Sequence, residues 1–197
     1  MREPHLIFNS TKPLQEPNFI LSNSSPHLHF TQPNHTTQTK MPRNICITSI
    51  EGQTGFLIAE LLLTDPKFKS QLDSLTGLTL DPASPKAKEL ATLGATVVAH
   101  KPGRERDVVA ALKKTGCDTI CLVPPARRDK FDIAAELTTA AKKAGVQNVL
   151  LISAAGCDYA ERDKQPRLRE FVDLEALVLA EKGDPESPLG HSPCVIR

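Results

Sequence analysis

Seven consecutive residues, Ser49-Ile50-Glu51-Gly52-Gln53-Thr54-Gly55, have the types and the spacing to hold a diphosphate. A diphosphate needs backbone N–H donors that can approach it closely, and the open N-terminus of a helix supplies those donors together with a partial positive charge. Gly52 lets the backbone come near the anion, and Gly55 lets the helix that follows lie tight on a sheet. Gln53 and Thr54 offer amides at the helix start. Two glycines at this spacing are a weak motif alone, and a turn that needs glycine for geometry only is the competing reading. What strengthens them is their place between an apolar strand-like run and an apolar helix-like run.

Such a turn works only if strands and helices position it, and from residue 43 onward short apolar runs alternate with amphipathic ones. That is the pattern of repeated βα units and a parallel sheet. Strands are expected at 44–49 (NICITS), 75–80, 95–100 (ATVVAH), 119–123 (TICLV) and 148–153 (NVLLIS). Helices are expected at 54–64, 84–93, 106–115, 130–144 and 167–181. Asp65-Pro66 ends the first of them, and Gly94, Gly116 and Gly145 close the next three. In the last, Leu168, Phe171, Leu174 and Val178 fall along one face. Residues 194–197 can begin a sixth strand. The fold class that follows is α/β, a Rossmann-type doubly wound parallel sheet of order 3-2-1-4-5 with room for that sixth strand. Its order reverses beside the end of strand one, which is where such folds open a crevice for ligands.

Composition narrows the partners. The chain has 197 residues, 40% of them hydrophobic and 24% charged, enough for one domain with a real core. A net charge of +1 with interspersed signs leaves no basic field for direct nucleic-acid binding. No apolar run reaches the ~20 residues of a membrane span, and the N-terminus lacks a signal-like apolar stretch. A cytoplasmic location is expected, with the nucleus also open to the chain. Five scattered cysteines with no CxxC pair fit a reducing compartment, and Cys46 and Cys121 read as small buried hydrophobes. Residues 1–42, with five prolines by position 33 and no glycine, read as a disordered tail in front of a domain at 43–197. Its His27-Leu28-His29 offers no geometry to select a metal, so no metal site is expected. Met41 is a candidate natural start.

The stretch NICITSIEGQTGFLIAELLL, residues 44–63, resembles the opening of the NmrA-like family, a branch of the atypical short-chain dehydrogenases. Further matches are Leu122-Val123-Pro124-Pro125, the AAKKAGV run at 140–146, Ser153-Ala154-Ala155-Gly156, the helix with Phe171 and Glu175, and Cys194-Val195-Ile196-Arg197. The resemblance implies an NAD(P)-binding protein. Gly52, Gln53, Thr54 and Gly55 would lie at the pyrophosphate with Ser49 in the same loop, Asp81 near the adenosine ribose, and Val123, Pro124 and Ser153 along the cofactor. It also implies either a small oxidoreductase acting on a quinone or carbonyl substrate, or a redox-sensing regulator that binds a protein partner according to dinucleotide state. Family members continue past the last residue here into a smaller substrate lobe, so the resemblance implies a truncated chain lacking most of that lobe.

Departures from the family pattern are specific. Ser49 replaces the first loop glycine and carries a Cβ penalty if the backbone needs positive φ. Glu51 would repel a pyrophosphate lying within ~4–6 Å of its carboxylate. The family often has an arginine after strand two for the adenosine 2′-phosphate, whereas this chain has Leu80-Asp81, which favours NAD over NADP; a plain Asp81-Pro82 turn is the alternative. Short-chain dehydrogenases pair a tyrosine with a lysine four residues on, but Tyr159 is followed there by Asp163, and Lys164 would point about 140° away on a helix. Ser153 is then the one weak catalytic candidate, with ribose binding or turn capping as its other roles. Cys157 and Asp158 could face the nicotinamide, and Arg127 and Arg128 could meet an acidic substrate or simply start a solvated helix.

Overall fold

Apolar runs with β-branched residues form strands because their side chains can be buried on both faces of a parallel sheet. In the computed structural model, which describes residues 43–197, the elements are β1 (Arg43–Thr48), α1 (Gln53–Thr64), α2 (Pro66–Lys69), β2 (Leu72–Thr79), α3 (Pro85–Thr92), β3 (Thr96–Ala99) and α4 (Glu105–Lys114). They continue with β4 (Thr119–Leu122), α5 (Lys130–Ala144), β5 (Asn148–Ile152), α6 (Pro166–Leu179) and β6 (Ser192–Ile196). The tail expected over 1–42, with its histidines and Met41, lies outside the described residues.

All the strand pairings are parallel, in the order β3-β2-β1-β4-β5-β6. The doubly wound reading and its sixth strand are therefore both realised. Neighbouring residues on a strand point to opposite faces, so the core divides in two. Cys46, Ile120, Leu122 and Leu151 pack with α4, α5 and α6. Ile47, Cys121 and Val123 pack with α1 and α3. Cys46 and Cys121 are buried as the sequence suggested. Burial pushes the Cys121 thiol up to about 12, and a hydrogen bond to Cys117 together with burial raises Cys46, so both stay protonated.

The shifts at element ends have local causes. β2 begins at Leu72, ahead of the predicted 75, because β1 recruits the preceding residues with Arg43 opposite Leu72 and Asn44 opposite Ser74 across a bulge. The unforeseen α2 starts where α1 stops. Asp65 accepts a hydrogen bond from the Lys67 amide at 2.8 Å, and Pro66 takes the first helical position, where a missing N–H costs nothing. At the reversal of strand order, the β1–β4 ladder reaches only as far as Ile47 opposite Cys121. Thr48, 1% exposed, carries the connection further: its Oγ1 donates to the Val123 carbonyl at 3.1 Å and accepts from the Val123 amide at 2.8 Å. No helix among the described residues is long and apolar enough to cross a membrane.

Candidate functional site

Immediately after β1 the chain turns sharply. Ser49 has φ +52°, alone among the described non-glycine residues in the left-handed region, so the Cβ penalty anticipated from the sequence is present. Ile50 then plunges into the core, fully buried, and its amide donates to the Leu78 carbonyl at 3.3 Å. Room for it comes from Gly77 in β2, where a Cβ would stand 2.4 Å from Ile50 Cδ1. The Gly52 amide closes the turn onto the Ser49 carbonyl at 2.9 Å, and α1 begins at the next residue. At Gly55 a Cβ would lie 2.4 Å from the Ser49 carbonyl oxygen, so the helix sits as close to the turn as a backbone can. No side chain caps α1, and its first turn contains no acid. The amides of Gln53, Thr54 and Gly55 donate to no protein acceptor among the described residues, and the first two residues are exposed. An uncapped set of donors at the positive end of a helix dipole is a site for an anion.

Glu51, expected to repel a pyrophosphate lying close to it, is tied to the neighbouring strand. Its side chain runs to the end of β2, where the Leu80 amide donates to Oε1 at 3.1 Å. The other oxygen, Oε2, is buried with no hydrogen-bond partner. Asp81 builds the local turn: its Oδ1 accepts from the Ala83 amide at 3.0 Å, and its own amide donates to Thr79 Oγ1 at 3.1 Å. Its side chain remains exposed at the mouth of the crevice.

At the end of β4, Val123 is tied to Thr48 as described, and Pro124 and Pro125 follow it along one wall of a cavity of about 280 Å³. Arg127 does not reach across the mouth; its guanidinium forks onto Asp129 at 2.8 and 2.9 Å. Lys130, 5% exposed, is held between Glu170 at 2.9 Å, the Arg167 carbonyl and the Phe171 ring, whose centroid is 4.8 Å away. Ion pairing and the ring face together compensate its burial.

Beyond β5 lies a closed polar cluster. Ser153 Oγ donates to Glu175 Oε1 at 2.5 Å, and the buried Cys157 thiol points to the same oxygen at 3.4 Å. Arg197 grips Glu175 with two bonds of 2.9 and 2.6 Å and reaches Asp158 at 3.3 Å. The Arg197 guanidinium, helped by Ser153 and Cys157, holds the Glu175 carboxyl down to about 2 despite its burial. Tyr159 ends a short 3₁₀ turn and is 86% exposed, while Lys164 pairs with Glu161 at 2.8 Å, so no tyrosine–lysine relay forms between them.

Sequence reasoning assigned no site role to three participants, although Glu175 and Arg197 stood within its motif matches. Thr48 carried a signal, a hydroxyl ending an apolar strand. Glu175 carried another, since it follows Phe171 by one helical turn and precedes Val178 by three residues, an acid on the apolar face of α6. Arg197 carried none, because its partner is 22 residues away.

A family model described as NAD(P)H-binding matches residues 51–188. Among solved structures, triphenylmethane reductase from Citrobacter sp., complexed with NADP(H), is similar at 19% identity and a TM-score of 0.56, covering 69% of this chain and 45% of that one. An NADPH-dependent quinone oxidoreductase from Escherichia coli is similar at 25% identity and a TM-score of 0.50, covering 66% and 44%. Anaerobillin reductase from Escherichia coli O157:H7 follows at 20% identity and a TM-score of 0.52, covering 70% and 64%. The chain thus spans less than half the length of the first two. No curated protein sequence matches it.

Proposed function

The chain belongs to the NAD(P)H-binding family, and from that membership we propose that it acts as an NAD(P)H-dependent reductase of the NmrA-like type on a small quinone or carbonyl substrate. One observation carries the reading: three unsatisfied amides at the start of α1, against a turn packed too tightly for any side chain at position 55. These residues fit the diphosphate of a dinucleotide, because donors, dipole and close backbone approach coincide there. Gln53, Thr54 and Gly55 would hold the phosphates through their amides, with Ser49 and Gly52 shaping the loop. The end of β2 would face the adenosine ribose, and Val123, Pro124 and Ser153 would border the path toward the end of β5. The bound cofactor supplies a hydride; the protein's part is to orient it and to exclude water. The likeness of this chain to a quinone oxidoreductase and a triphenylmethane reductase supports a reductase with a small-molecule substrate. NAD(H) is the proposed preference.

A specific observation favours a second reading, a non-catalytic sensor that binds a protein partner according to dinucleotide redox state. Tyr159 is turned to solvent, and the Ser153 hydroxyl is already committed to Glu175, so neither is placed to relay a proton. Thermal shift with NAD, NADH, NADP and NADPH tests the shared premise, since a ligand of the native state must raise Tm; no rise with any of the four defeats both readings. Oxidation of the reduced cofactor by a quinone panel then supports the reductase. Equal calorimetric affinities for the oxidised and reduced forms would count against the sensor.

A further inference from the structure

We propose that Glu51, on the loop, rather than Asp81, after β2, is the residue that reads the adenosine ribose and excludes a 2′-phosphate; this rests on the proposed dinucleotide site. Folds of this class select NAD through a carboxylate at the end of the second strand, where the ribose 2′-hydroxyl arrives. In this chain the residue that follows β2 with an acid is Asp81, but one of its oxygens is engaged by the Ala83 amide within its own turn. The carboxylate fixed against the last residues of β2 belongs to Glu51, which reaches forward 29 residues to take the Leu80 amide on Oε1. This single bond pins the group at the strand end. It also leaves Oε2 as one of the few buried side-chain oxygens without a donor among the described residues.

A buried acceptor with no donor is costly, and its cost falls when a ligand hydroxyl or a water supplies one. A ribose diol entering beside Leu80 brings such a hydroxyl. A 2′-phosphate brings only further negative charge, to a place where neither Glu51 nor Asp81 is neutralised by an ion pair among the described residues. The same side chain therefore rewards one dinucleotide and rejects the other. The bond to the Leu80 amide also directs the carboxylate to the end of β2 instead of leaving it free on the loop.

Calorimetry on the full chain decides it, with NADH, NADPH, ADP-ribose and 2′-phospho-ADP-ribose as probes. The wild-type protein is expected to bind the unphosphorylated member of each pair at least tenfold more tightly. Glu51→Gln keeps an acceptor for the Leu80 amide but drops the charge, and should bring the two affinities within about threefold of each other, mainly through tighter binding of the phosphorylated probe. Asp81→Asn should leave the wild-type ratio within about twofold. A ratio that moves with Asp81→Asn and not with Glu51→Gln overturns the assignment. So does a wild-type protein that binds both members alike, a result needing no variant to fold. Absence of binding to all four probes defeats the dinucleotide site itself and this inference with it.

Discussion

The turn after β1 and the cluster beyond β5 both lie at the C-terminal edge of the sheet, yet they are finished in opposite ways. Around Ser49 the backbone is strained, α1 starts without a cap, and a carboxylate oxygen lacks a donor. Around Ser153 every polar side chain is spoken for: serine, thiol, carboxylate and guanidinium close on one another. Loose ends of this kind cost stability unless something else satisfies them, whereas a closed network contributes stability by itself. The first region has the character of a binding site and the second that of a latch, fastening β6 and α6 to the end of β5.

Substitutions can break that contrast or sharpen it. The largest effect is expected for Arg197→Ala, which removes both guanidinium bonds from the buried Glu175 carboxylate and should lower Tm more than any other substitution named below. Affinity for NADH should stay within about twofold by calorimetry; a large loss of binding with unchanged Tm would reverse the roles assigned to the two regions. The latch should also show in pH dependence. Because the folded-state pKa of Glu175 is lowered to about 2, its contribution is complete above the ordinary carboxylate range and drains away as pH falls from there toward 2. Wild-type Tm should therefore drop more steeply across that acid window than the Tm of Glu175→Gln; parallel profiles would dissolve the latch.

Gln53→Pro probes the other region. Proline suits the first helical position, and the extended Gly52 before it, with ψ 162°, tolerates a following proline. Stability should change by less than ~0.5 kcal/mol, while the loss of one amide donor weakens NADH by about tenfold, the ~1.4 kcal/mol of a charge-assisted hydrogen bond. Unchanged affinity would remove the Gln53 amide from the site. The smallest effect belongs to Ser49→Gly, which relieves the left-handed serine and should raise stability by at most ~1 kcal/mol in a denaturant titration; a net loss would mean that the serine side chain repays its own strain.

Much of the fold could be read from periodicity. NICITS, TICLV and NVLLIS are strands within a residue or two, α5 spans the residues its pattern predicted, and the order of the sheet followed from alternation and the rule for crossovers. Of the site, the glycine positions were visible because backbone geometry is a local property. Directions of charged side chains were not. Glu51 seemed aimed at the anion because its neighbours in sequence are the turn, but an amide 29 residues later redirects it. Asp81 looked like the ribose acid because it ends the second apolar run, yet an amide two residues on takes one of its oxygens. The first outcome depends on a contact between distant segments that no spacing rule within one segment encodes, whereas the second is local and matches the Asp81-Pro82 turn that the sequence already offered.

The packing of Ile50 against Gly77 makes the shape of the ligand loop a property of the adjacent strand. A methyl group at residue 77, far from any phosphate, would push Ile50 outward and carry the amides of α1 with it. Trimming Ile50 to valine, which deletes the δ-carbon that the new methyl would strike, should partly undo the harm, so the two positions are free to drift only as a couple.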